Sequence, residues 1–334
     1  MRPLGKYHSR RSLSTRLKVL EKMTLILTAQ HGRSLWMMAD RRLSCENKKV
    51  TDKACKLTVV SGIGFEAIFG YSGLGRTKYK NEPSEWMKNV VSGYNGDLQG
   101  ILNLLKTAME AQLPRHLTHG LHHSTMVGAI QGQKIRTFCL SILNDKSEPK
   151  VEQKELIVSG NPKPNTYYTV SAVGSGSDYY TELFGNGEDL GKIIYQYDEG
   201  KVSALEVADY FAKINFDVFS LMRSRGNNSV GRNCMVMWKN TLEKTEKEGG
   251  GFQFYSNLNR SQQDCKIPTV LKGMDLNVLI EGLLPSMERG MEIALKLPEG
   301  TTSRTLPKEE ELRSKKEAEE AARKARMHKS TRLK

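Results

Sequence analysis

The chain has 334 residues, 38% hydrophobic and 26% charged, with a formal charge of +14 from 51 basic and 37 acidic residues. That composition is globular and excludes a collagen-like repeat, a heptad rod or a chain disordered throughout. No run of about 18 uninterrupted apolar residues occurs, so a membrane-spanning helix is not expected. The charge is concentrated at the ends. Residues 1–22 hold seven Lys/Arg and one Glu, and residues 301–334 hold eleven Lys/Arg and six Glu. The body between them is close to neutral, so no nucleic-acid surface is expected on the core, and any contact with nucleic acid or an acidic partner belongs to the tails.

In chain order, the first segment is Arg- and Ser-rich with no apolar stretch, which excludes a secretory signal. Residues 1–23 are expected to be a basic leader absent from the mature protein, with translation starting at Met23 and ordinary removal of that Met. Thr24–Gln30 and Leu35–Ala39 read as strands around a His31-Gly32-Arg33 turn. Further strands are expected at Lys56–Val60 and Ala67–Tyr71. Residues 76–94 read as an insertion. Asn95–Gln112 has Leu98, Ile101, Leu102, Leu105 and Met109 at helical spacing, and a second helix is expected at His119–Ile130. Strands resume at Ile135–Leu143 and Tyr167–Val173. A helix covers Val202–Met222, and Cys234–Trp238 with Phe252–Tyr255 reads as a closing hairpin. Residues 243–300 form an extension with one helix, Asp275–Leu295. Residues 301–334 form a charged tail, read as a solvated helix or a disordered segment. The order predicts an α/β (α+β) protein with largely antiparallel sheets over residues 24–242.

Several features are read as structural. Cys45, Cys55, Cys139, Cys234 and Cys265 are scattered with no CxxC pair, which disfavours a zinc ribbon and fits reduced thiols in a cytoplasmic protein. His116, His119, His122 and His123 are expected to form a surface or interface cluster on a helix, in preference to a metal site. The Gly174–Ser177 segment lacks the Lys of a phosphate-binding loop, and Gly62-x-Gly64 lacks a third glycine, so no nucleotide site is expected. Trp36, Trp86 and Trp238 are read as packing residues.

The chemistry lies in the hairpin. A turn centred on Gly32 sets Thr24 opposite Asp40, and directly opposed residues have Cβ atoms roughly 4.5–5.5 Å apart. Lys56 opens the next strand. A lysine beside a carboxylate and a hydroxyl is an arrangement that activates a nucleophile.

Thr24, Ala39-Asp40-Arg41-Arg42 and Lys56, with their spacing, resemble the proteasome β-subunit family of N-terminal nucleophile hydrolases. Gly70-Tyr71-Ser72-Gly73, Gly174-Ser175-Gly176-Ser177 and Ser229-Val230-Gly231 are similar to three further family segments in the same order. The resemblance spans roughly residues 24–240 and implies a four-layer αββα sandwich, here with a C-terminal helical extension. It implies a threonine-type peptidase or amidohydrolase in which Thr24 attacks an amide and its own α-amine takes the proton. A free α-amine has a pKa of about 7.7–8.0, well placed for that task. Lys56 would keep the proton network poised, Asp40 would orient Lys56, and Ser175 and Ser229 would surround the amine. The Gly70 N–H would meet the oxyanion. No cofactor is implied. The partners expected are a polypeptide or amide substrate and further copies of the chain.

Two departures stand out. Met23 occupies the position where the family cleaves after Gly. Arg225-Gly226-Asn227-Asn228 holds no acid where the family carries an Asp, leaving Asn227 as an uncharged substitute. The alternative expectation is therefore a catalytically inactive assembly or binding subunit.

Overall fold

A computed structural model describes residues 24–45, 48–73, 82–114, 123–143, 150–156, 168–241 and 249–281. The predicted leader, the C-terminal tail, and most of the Asp275–Leu295 helix lie outside the described residues; of that helix, residues 276–281 are described and are helical.

The first sheet has the order β10-β1-β2-β11-β12-β13. Its strands are β1 (Leu25–His31), β2 (Ser34–Asp40), β10 (Tyr168–Gly174), β11 (Cys234–Asn240), β12 (Gly250–Ser256) and β13 (Asn259–Ser261). The second sheet runs β15-β14-β5-β6-β7-β8-β9. It is built from β5 (Leu57–Gly62), β6 (Phe65–Ser72), β7 (Ser124–Gln131), β8 (Lys134–Leu143), β9 (Lys150–Glu155), β14 (Thr269–Leu271) and β15 (Met274–Asp275). A small hairpin, β3 (Leu43–Cys45) with β4 (Lys48–Thr51), stands apart from both. Neighbouring strands are antiparallel except β14 and β5, which are parallel. The protein is thus α+β with two mostly antiparallel sheets.

Three apolar clusters hold these elements. One joins Leu25, Leu27, Trp36, Met38 and Val236 of the first sheet to helices α3 (Ser177–Phe184), α4 (Glu188–Asp198) and α5 (Ala204–Ser224). A second joins Phe69, Val127 and Leu140 of the second sheet to α1 (Pro83–Val91) and α2 (Leu98–Gln112). The third contains Ile26, Leu35, Met37 and Met235 from one sheet and Leu57, Ile68 and Met126 from the other. Alternation along β1 and β2 explains this: successive side chains leave opposite faces, and both faces are covered. That is why β2 reads as a continuous apolar run and is buried at every position.

Helix ends follow local chemistry. Ser203 and Glu206 form a reciprocal capping box at the start of α5. Asp97 caps α2 by accepting from the Gly100 N–H at 2.9 Å.

Several expectations are corrected. Residues 124–130 of the predicted His119–Ile130 helix lie instead in strand β7 (Ser124–Gln131), in the middle of the second sheet. Apolar residues on both faces of a buried strand imitate a helical pattern, and the β-branched Thr125, Val127 and Ile130 favour the strand. The supposed insertion contains α1, which begins at Pro83 and buries Met87 and Val91. The described part of residues 243–300 is not peripheral, because β12 and β13 extend the first sheet and β14 and β15 the second. Of the histidine cluster, only His123 is described. It precedes β7, is fully buried and shares a 2.6 Å hydrogen bond with the Tyr71 hydroxyl through Nδ1. Among the described residues no group of three or more His, Cys, Asp or Glu could hold a metal ion, and no helix is long and apolar enough to cross a membrane. Trp36 and Trp238 stack with ring centroids 5.2 Å apart in the first cluster.

Candidate active site

The site forms where the ends of β1, β2, β6, β10 and the turn before β11 converge on the segment leading into β5. The β1–β2 turn consists of Gly32 and Arg33, so His31 faces Ser34 and Ile26 faces Ala39. The predicted register is one residue out, and Asp40 falls beside Leu25 instead of Thr24. The Leu25 N–H donates to Asp40 Oδ1 at 2.8 Å.

Lys56 restores the link to Thr24. It sits one residue before β5, between the two sheets. Its Nζ donates to Thr24 Oγ1 at 2.9 Å and to Asp40 Oδ1 at 2.9 Å. The three side chains are buried: Thr24 is 3% exposed, Asp40 0% and Lys56 1%. Asp40 is further saturated at Oδ2, which accepts the Arg42 N–H at 3.0 Å and the Gly231 N–H at 2.9 Å. A buried ion pair is sound only when its remaining lone pairs are also satisfied, and here they are. Burial pushes the Lys56 ammonium below the usual lysine range; Asp40 pulls it back up, and Arg42 adds to the downward push.

On the other side of Thr24 the hydroxyls form a chain. The Thr24 N–H donates to Ser175 Oγ at 3.2 Å. Ser175 Oγ and Ser229 Oγ lie 2.8 Å apart, and Ser229 Oγ donates to Asn227 Oδ1 at 2.7 Å. The Ser229 N–H donates to the same oxygen at 2.9 Å. A hydroxyl has one proton. The Ser229 hydroxyl can give its proton to Ser175 Oγ or to Asn227 Oδ1. The Ser175 hydroxyl reaches the Thr24 carbonyl at 3.4 Å while its oxygen accepts the Thr24 N–H.

Glycines make the approach possible. Gly174 has φ of 98°, and a Cβ there would stand 2.0 Å from the Thr24 carbonyl oxygen and 2.7 Å from Ser72 Oγ. A Cβ on Gly231 would stand 2.7 Å from Arg42 Cβ. Arg42 itself ties the Ser229 loop to the Lys56 segment. Its Nη1 donates to the Asn228 carbonyl at 2.7 Å and its Nε to Asp52 at 2.8 Å. Asn227 takes the place expected of it as the uncharged substitute near Ser229; Arg42 and Asp52 were missed as site partners by spacing alone, the basic pair after Asp40 being the available signal.

Of the predicted set, the structure brings Thr24, Asp40, Lys56, Ser175 and Ser229 into one hydrogen-bonded group. It does not bring Gly70 in as an oxyanion donor. Gly70 lies inside β6, between Leu57 of β5 and Met126 of β7. The Tyr71 N–H donates to the Lys56 carbonyl at 3.3 Å, and strand alternation then directs the Gly70 amide into the ladder with β7. Its bare Cα faces Ile26 and Met37, where a Cβ would meet atoms at 2.9 Å. Gly70 is a packing glycine between the sheets.

No protein-family profile matches the sequence, and no curated protein matches it. Among solved structures, one similar chain is an Anbu (Gly-1) mutant from Hyphomicrobium sp. strain MC1. It aligns with a TM-score of 0.40 and 12% identity, over 84% of this chain and 100% of that one. At that distance the activity has to be argued from the site itself.

Proposed function

We propose that the chain is a threonine-type peptidase or amidohydrolase of the N-terminal nucleophile kind, active when Thr24 is its first residue. The observation that carries this is Lys56 Nζ, held 2.9 Å from both Thr24 Oγ1 and Asp40 Oδ1 with all three side chains buried. The three apolar clusters support an αββα arrangement of layers around it.

With a free α-amine on Thr24, the reaction runs through an ester on the Thr24 hydroxyl. Thr24 Oγ1 attacks the substrate carbonyl carbon, and its proton passes to the α-amine. The Lys56 ammonium, donating to Oγ1, favours the alkoxide character that develops there. Ser175, whose lone pair faces the nitrogen, orients the amine. The amine then gives the proton to the leaving nitrogen, the C–N bond breaks, and an ester to Thr24 remains. Water, deprotonated by the same amine, hydrolyses the ester. The donor for the developing oxyanion is sought at Gly73, the first residue past the β6 ladder, with φ of 140°. Ser72, next to it, already lies against Thr24 across Gly174.

The test combines intact mass of protein from its native host with labelling by a peptide epoxyketone, which needs both hydroxyl and free amine. The expected result is a chain beginning at Thr24 and carrying one label, lost in Thr24→Ala with the fold intact. A chain retaining residues before Thr24 and taking no label would overturn it and favour a non-catalytic assembly or binding subunit.

A further inference from the structure

Arg41 follows Asp40 at the end of β2, yet the proposed chemistry gives it no part. It is 2% exposed, and its guanidinium lies over the Phe254 ring of β12, 4.7 Å from the centroid. Its N–H donates to the Asn233 carbonyl at 2.8 Å, and its carbonyl accepts the Ala54 N–H at 3.1 Å. The side chain turns back onto the same segment. Nη2 donates to the Lys53 carbonyl at 2.6 Å and Nε to the Ala54 carbonyl at 3.1 Å.

Residues 53–56 depend on such contacts, because they belong to no strand or helix; β5 begins only at Leu57. Lys56 must stay within hydrogen-bond reach of Thr24, and the segment carrying it is fixed residue by residue instead of by a ladder. On one flank the Cys55 N–H donates to Glu82 Oε2 and the Cys55 carbonyl accepts from Ser84 Oγ, both at 2.8 Å. On the other flank Arg41 grips the two residues before it.

A buried guanidinium needs a counter-charge. Asp40 is already occupied by Lys56 and by the N–H groups of Leu25, Arg42 and Gly231. The counter-charge is Asp264, on the segment between β13 and β14, whose Oδ1 accepts from Arg41 Nη2 at 2.5 Å. Cys265 Sγ lies 3.6 Å from the same nitrogen, and the exposed Lys53 Nζ lies 3.7 Å from Asp264 Oδ2. Charge assistance strengthens the Arg41–Asp264 bond, and the planar fork aims the remaining N–H groups in fixed directions.

We propose that Asp264 and Arg41 are positioning residues for Lys56: their ion pair holds residues 53–56 where Lys56 Nζ meets Thr24 Oγ1, which makes the segment after β13 a working part of the site. This rests on the peptidase reading. Without the Asp264 charge, Arg41 is a buried cation facing carbonyls alone, and water draws the guanidinium outwards. The 53–56 backbone then loosens, and Nζ loses its fixed distance to Oγ1. Such a displacement slows the chemical step and leaves substrate binding intact.

The experiment compares Asp264→Asn with Glu155→Gln in the full chain. Glu155 pairs with Arg136 at the edge of the second sheet, and its side chain is 34% exposed against 33% for Asp264, so carboxylates of like exposure are removed. Epoxyketone labelling of Thr24 is resolved into a binding constant and a maximal rate. In Asp264→Asn the maximal rate should fall at least ~10-fold while the binding constant stays within about two-fold. Glu155→Gln should keep both. Arg41→Lys, which keeps the charge without the fork, should slow labelling likewise; if it does not fold, Asp264→Asn decides alone. Hydrogen exchange read by mass reports the segment independently of activity. The Ala54 and Cys55 amides should exchange at least ~10-fold faster in Asp264→Asn and be unchanged in Glu155→Gln. An unchanged maximal rate, equal slowing in both variants, or unchanged exchange at 54–55 would each overturn the proposal. A wild type that takes no label sinks the peptidase reading instead, and the exchange measurement then decides whether the pair holds the segment of Lys56.

Discussion

Asp40→Asn is the sharpest probe of the site's construction. The Asp40 carboxylate accepts four donors: Lys56 Nζ and the N–H groups of Leu25, Arg42 and Gly231. An Asn amide of the same shape offers one oxygen and one NH2. In either orientation its oxygen serves two of these donors and its NH2 confronts the other two. Two buried donors left unsatisfied cost about 1–3 kcal/mol each. Breaking a buried ion pair by removing one partner costs about 3–5 kcal/mol. The two estimates overlap, and a loss of ~3–5 kcal/mol is expected, a large share of a typical domain's 5–15 kcal/mol. Urea unfolding at neutral pH measures it, with an unchanged denaturant slope showing that the folded state is the same. A loss below about 1 kcal/mol at constant slope would refute the four-donor account, because at least two of those bonds would then be dispensable.

Three further outcomes follow from the geometry. Gly70→Ala places a Cβ 2.9 Å from Ile26 Cγ2 and Met37 Sδ; overpacking should cost ~1–3 kcal/mol in the same unfolding assay, and no loss would contradict the close inter-sheet approach. Lys56→Met tests the lowered lysine: the unfolded chain holds that proton up to about pH 10.4 and the folded chain gives it up earlier, so Lys56 makes stability rise with pH through that window. The stability of wild type relative to Lys56→Met should therefore rise as pH climbs towards ~10.4, and a flat difference would refute burial as the dominant cause. Asn227→Ala removes the acceptor for both Ser229 Oγ and its N–H; the rate of Thr24 labelling should fall about ten-fold, one net hydrogen bond's worth, while Asn227→Asp should retain it.

The elements that position the site were legible where periodicity was unambiguous. β1, β2, α5 and the β11–β12 hairpin follow from alternation, helical spacing and turn residues, and α5 even carries its capping box in sequence. Thr24, Asp40 and Lys56 were legible as residue types at a spacing. Their mutual geometry was not, because a turn of two residues instead of one shifts every cross-strand pair and moves Asp40 beside Leu25. Strand β7 was misread because a strand buried on both faces loses the period-two signal.

Composition and local pattern alone therefore determined that this is a globular α+β chain with charged ends, and which side chains could do chemistry. What brought Lys56 to Thr24 and turned Gly70 from an oxyanion donor into a packing contact was the stacking of two sheets whose strands are distant in sequence. Those contacts depend on register, on glycines that admit no Cβ, and on which face each residue presents, and none of the three is encoded locally.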